Sequence, residues 1–145
     1  MGWKTFAEIE ASFRPIEHSL DTMLEEICAS LVNKGIVLRE DSNRTGVGGH
    51  SYTTFRWSFH FEKRAAYGSE IKRATVRLNY LEPIIEEDPQ IIEVTSVAEI
   101  FQTGKQSRFI EASEKTYPIN QFLNIKMDSI ILENITAAEQ ILSKY

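Results

Sequence analysis

From Phe6 onward, apolar residues recur in steps of three and four: Phe6, Ile9, Phe13, Ile16, Leu20, Met23 and Ile27. Leu24, Cys28 and Leu31 form a second stripe beside the later turns. This is the period of a helix, and the widened stripe is what a helix lying on a core needs. Gly35 after Asn33-Lys34 supplies a C-terminal stop. Pro15 falls inside the pattern. In a helix interior it removes a hydrogen bond and clashes with the carbonyl of Ala11, at about 3 kcal/mol, whereas at a first helical position it costs little. The pattern therefore predicts a short helix near residues 4–12 and a main helix from about Pro15 to Lys34, with one continuous kinked helix as the alternative.

The middle third changes rhythm. In residues 51–62, Phe55, Trp57, Phe59 and Phe61 share one parity while Thr54, Arg56, Ser58, His60 and Glu62 take the other. In 71–81, Ala74, Val76, Leu78 and Tyr80 oppose Arg73, Thr75, Arg77 and Asn79. In 91–101, Ile92, Val94, Ala98 and Ile100 oppose Glu93, Thr95, Val97 and Glu99. One apolar and one charged face is antiparallel-sheet behaviour, since a parallel sheet is buried on both sides. Residues 65–69 and 102–106 are short enough for hairpins, and the longer acidic connection from Glu82-Pro83 to Asp88-Pro89 is bounded by prolines that stop strands. A fourth strand, about 107–115, alternates less cleanly: Phe109 and Ile110 compete for the inner face, which leaves its register open. Ile36-Val37-Leu38 reads as a short strand or an extended exit, and 40–50 as a polar, glycine-rich loop. Helical spacing returns with Ile131, Ile135, Ala138 and Leu142, for which Asp128 is the expected N-cap.

These elements predict one α+β domain over 1–145: an N-terminal helix or kinked helix pair, an antiparallel meander of about four strands, and a C-terminal helix packed on one sheet face. Length and composition agree, with 145 residues, 42% hydrophobic and 26% charged. Sixteen Lys and Arg against 21 acids, a formal charge of −5, disfavour a general nucleic-acid binder and suit a basic protein partner. Basic residues recur locally, at Lys63-Arg64, Lys72-Arg73 and Arg77, enough for a small patch. The single cysteine, Cys28, excludes an internal disulfide and a cysteine-based zinc site. No secretory signal and no membrane-spanning apolar run is visible, which makes the cytoplasm the default expectation.

No spacing commits to a reaction. His18, His50 and His60 form no metal-ligand pattern, and Gly46-Val47-Gly48-Gly49 lacks the Gly-Lys-Ser/Thr of a phosphate loop. No cofactor is expected. His60 shares its predicted face with Arg56, Arg73, Arg77, Glu93 and Glu99, an arrangement that suits a solvated or recognition surface better than an acid–base site. Glu82, Glu86, Glu87 and Asp88 form the densest acidic cluster, a solvated turn or a contact for a basic partner. Phe55, Trp57, Phe59 and Phe61 are the seam between sheet and helix, or the wall of a pocket for an apolar ligand. A continuous helix from Phe6 to Lys34 would run about 43 Å, against about 33 Å for a ten-residue strand. Trp3, Phe6, Ile9 and Phe13 are therefore candidates for self-association into a homodimer.

The leading expectation is a non-enzymatic protein-interaction module, of the inhibitor, immunity or adaptor kind, using its acidic surface and charged sheet face. The alternative is a small apolar-ligand binder or modest enzyme with a pocket between the long helix and the aromatic sheet face.

Overall fold

A computed structural model describes residues 2–39 and 53–145, without the side chains of residues 53–56, 111 and 112. The glycine-rich stretch with His50, and the side chains of Phe55 and Arg56, thus lie outside the described residues. The chain opens with a helix, α1 (Phe6–Val32), followed by a two-residue strand, β1 (Val37–Leu38). Four long strands come next: β2 (Thr53–Tyr67), β3 (Glu70–Pro83), β4 (Ile91–Gln102) and β5 (Arg108–Pro118). A single short turn of helix, α2 (Ile119–Phe122), leads into α3 (Met127–Leu142). The sheet is an antiparallel meander in chain order, β1-β2-β3-β4-β5. No described helix is long and apolar enough to cross a membrane.

α1 runs unbroken through Pro15. Two features hold it in one piece. Thr5 closes a capping box, its hydroxyl accepting from the Glu8 amide while the Glu8 carboxylate accepts from the Thr5 amide. Those hydrogen bonds to the charged form hold the Glu8 carboxyl below its ordinary value. The same core also receives Ile9 and Phe13 before the proline and Leu20, Leu24 and Leu31 after it. Burial on both sides offsets the local cost that argued for a break. At the far end Gly35, at φ 76°, takes the left-handed conformation that reverses the chain into β1.

The N-terminus of α1 does not have to project, because the strands are longer than the ten residues expected. β2 has 15 residues and β3 has 14, reaching about 46 Å, whereas the 27 residues of α1 span about 40 Å. The strands outlast their apolar runs because the hairpin turns only at Gly68 and Ser69, with Gly68 at φ 62°. The helix therefore fits on its own sheet. Ile9 and Phe13 are buried, Phe13 stacking on Tyr80 with ring centroids 5.7 Å apart. Neither is a self-association surface; of the four candidates only Trp3 and Phe6 are exposed.

Both long helices lie on one side of the sheet. Trp57, Phe59, Phe61, Val76, Leu78, Tyr80, Ile92 and Val94 share one buried cluster with the helix residues Leu20, Leu24, Ile131 and Ile135. The Trp57 indole N–H donates to Asp21 of α1 at 3.1 Å. Trp57, Phe59 and Phe61 are at most 3% exposed, so these three are filled core and line none of the cavities among the described residues. Asp128, expected as the cap of the last helix, instead lies in its first turn, and Lys126 holds the N-cap position without a side-chain bond.

The ambiguous register of β5 has a definite cause. Ser96 pairs with Ser113 but Val97 pairs with Glu111, so residue 112 is an extra residue in β5. Parity switches there. Phe109 faces away from the helices, Ile110 toward them, and beyond the bulge Ser113, Lys115 and Tyr117 take the helix side. Ser113 exchanges a hydrogen bond with Ser96 and donates to Asn134 of α3, a polar seam where the bulge interrupts the apolar face.

Candidate functional site: the helix-free sheet face

On the side away from the helices, the register assembles rows of polar residues. His60 stands opposite Arg77, Asn79 opposite Glu93, Arg73 opposite Glu99, and Glu62 opposite Thr75. Parity explains the set: these are the positions between the helix-facing ones on each strand. Asn79 also accepts from the Ser58 hydroxyl at 2.6 Å.

Arg73 is the centre of a compact ionic group. It donates to Glu99 at 2.8 Å, lies 3.5 Å from Glu62, and stacks over Phe101 at 4.7 Å from the ring centroid. Glu62 takes a second contact from Arg64, at 3.4 Å. The side chains of Arg73, Glu62 and Glu99 are only 14%, 10% and 10% exposed, so three charges sit nearly out of water on the open side of a sheet. Arg77 differs. Among the described residues it has no carboxylate partner, and its guanidinium lies 5.5 Å from the centroid of Phe109, a ring that is 54% exposed. His60 receives the guanidinium of Arg39 on its Nδ1.

The group is incompletely satisfied. Among the described residues, five buried side-chain atoms have no hydrogen-bond partner: Glu62 Oε2, Arg73 Nε, Thr75 Oγ1, Arg77 Nε and Glu99 Oε1. All five belong to this face.

The acidic connection is only partly a solvated turn. Glu86 and Glu87 are exposed and Asp88 half-buried, and the Glu86 amide donates to the carbonyl of Gly2. Glu82 departs from the cluster altogether. It is fully buried on the helix side, accepting from Tyr80 and Gln90 with Lys4 3.8 Å away. Burial, then the Glu82 carboxylate, push the Tyr80 phenol above its ordinary value, which keeps it a donor. Cys28 is half-buried, and that burial likewise raises its thiol.

Of the candidate surface residues, the structure brings His60, Arg73, Arg77, Glu93 and Glu99 onto one face. Glu86, Glu87 and Asp88 stand apart in the connection between β3 and β4, and the Arg56 side chain is outside the described residues. Glu62 and Thr75 belong to the group although neither is singled out by the sequence; their parity with His60 and Arg77 was the available signal. Arg39 has no such signal, because it arrives through the pairing of β1 with β2. Comparison with protein families, with curated proteins and with solved structures finds no match for this chain.

Proposed function

We propose that the chain is a binding protein and that the helix-free sheet face, helped by the acidic β3–β4 connection, receives a protein partner. One observation carries this reading. Buried polar atoms are almost always hydrogen-bonded in native folds, and each exception asks for an explanation. Here every such exception among the described residues lies on the one sheet face that no described helix covers. A partner bringing both donors and acceptors would suit a face whose two carboxylates, one hydroxyl and two guanidinium groups have unused bonding capacity. Exposed acids at Glu86, Glu87 and Glu114 bias that partner toward basic side chains.

The test uses the intact chain as cross-linking bait. Glu93 and Glu114 lie on the helix-free face and make no described ion pair, so the double variant Glu93→Lys/Glu114→Lys should fold normally. Glu99 is unsuitable because it holds Arg73. The control, Glu25→Lys/Glu133→Lys, makes the same charge change on exposed helix positions. Capture should fall about tenfold for the sheet variant and stay unchanged for the control. Equal losses in both, or in neither, would refute the assignment of the face.

A further inference from the structure

The β2–β3 hairpin outruns the helix that covers it. β2 continues to Tyr67 and β3 begins at Glu70, whereas α3 ends at Leu142 with Ser143 as its cap. The inward positions that hold Trp57, Phe59 and Phe61 continue as Lys63, Ala65 and Tyr67. On β3 the row Leu78, Val76 continues as Ala74 and Lys72. The register sets Lys63 opposite Ala74 and Ala65 opposite Lys72. Each lysine thus faces an alanine, which leaves a hollow with an apolar floor and cationic walls. It is a cavity of about 210 Å³ whose floor is Ala65, Ala74 and Leu142 and whose walls include Tyr67, Lys63 and Lys72.

The lysines are weakly committed. Lys63 pairs with Glu139 at 3.2 Å, but both side chains are about two-fifths exposed, and such surface pairs contribute little. The Lys72 side chain is 18% exposed. Its one hydrogen bond among the described residues goes to a main-chain oxygen of Tyr145 at 2.8 Å. The Glu70 carboxylate is 3.8 Å away, beyond hydrogen-bond range, and the Tyr67 ring centroid is 5.6 Å away. An ammonium has three donors, so Lys72 keeps bonding capacity beyond that one hydrogen bond. Arg64 also lines the cavity, drawn toward Glu62, and Glu139 is the one carboxylate among the lining residues, so the lining itself carries an excess of positive charge, with Glu70 and the negative end of α3 beside it.

We propose that this overhang binds a small anion with an apolar body, its ring on the alanine floor against Tyr67 and its charged group on Lys72 and Lys63. The volume, below the roughly 300–1,000 Å³ of most small-molecule sites, restricts the ligand to one ring or a short chain. A carboxylate and a phosphate monoester are the same chemistry to two lysines. The cavity lies on the helix side of the sheet, so it and the partner surface can fail separately.

Isotope-labelled full-length chain, titrated with benzoate, phenyl phosphate and benzyl alcohol while the amides of residues 63–74 and 139–145 are followed, tests the proposal. At least one anion should give saturable shifts confined to those amides, and the stronger of the two names the anionic group. Benzyl alcohol and the Lys72→Gln variant should each bind about tenfold more weakly, the usual consequence of losing one charge-assisted hydrogen bond. Ala65→Leu, at an exposed strand position, should fill the floor and abolish the response without lowering the melting temperature. Absence of saturable shifts with both anions, an equal response to benzyl alcohol, or a response untouched by Ala65→Leu would overturn it.

Discussion

Replacing Trp57 with alanine should lower the unfolding free energy by about 4 kcal/mol, the largest loss expected from any single substitution in the sheet. Trp57 is fully buried, lies 4.0 Å from Phe59 between ring centroids, and satisfies Asp21 across the helix–sheet interface. The substitution removes a large apolar side chain from a site closed by α1. It also strands a half-buried carboxylate that loses its indole donor. Trp57→Phe keeps much of the volume and loses the N–H, so it should cost about half as much. Urea unfolding of the three proteins separates the effects. A loss below about 1 kcal/mol for Trp57→Ala would mean that this residue is not under the helix.

Arg73→Ala should cost about 3 kcal/mol although it lies on the opposite, charged side of the sheet. The guanidinium stands between Glu62 and Glu99, and its removal leaves two nearly buried carboxylates facing each other, with only the more exposed Arg64 still beside Glu62. Breaking such a group by deleting one member is far more damaging than deleting all of it. The triple variant Arg73→Ala/Glu62→Gln/Glu99→Gln should therefore recover more than half of the loss, and a thermodynamic cycle measures that coupling directly. Exposed Glu114→Ala on the same face should be close to neutral. If Arg73→Ala were as mild as Glu114→Ala, the ionic group would be a solvated surface feature.

These two substitutions mark what alternation can and cannot reveal. Parity alone placed Trp57 inside and Arg73 outside on the same face as Glu99, and the pairing of β3 with β4 sets those two opposite each other. It failed at β5 because one extra residue reverses the faces halfway along the strand, a change written in backbone geometry and in no residue type. Glu82 looked like a member of an acidic turn, yet it continues the inward row of Leu78 and Tyr80. Its side-chain chemistry misled where its position would not have. Residues 65–69 read as a whole hairpin connection because the apolar run ends at Phe61, although β2 continues to Tyr67 and Gly68 is the residue that lets the chain reverse. Near-burial of the Arg73 group was not legible at all, since outward parity is ordinarily read as solvation. What converts that face from a wet surface into a candidate site is the shielding and the missing partners, and both are properties of three dimensions.

The aromatic face of the sheet is sealed by helices, whereas no described helix covers the charged face. A soluble gadolinium chelate added to the isotope-labelled protein reports that directly, by broadening the resonances it can approach. The Phe109 ring and the Glu114 amide should broaden strongly and the Trp57 indole N–H hardly at all. Strong broadening of Trp57 with Phe109 protected would contradict the account.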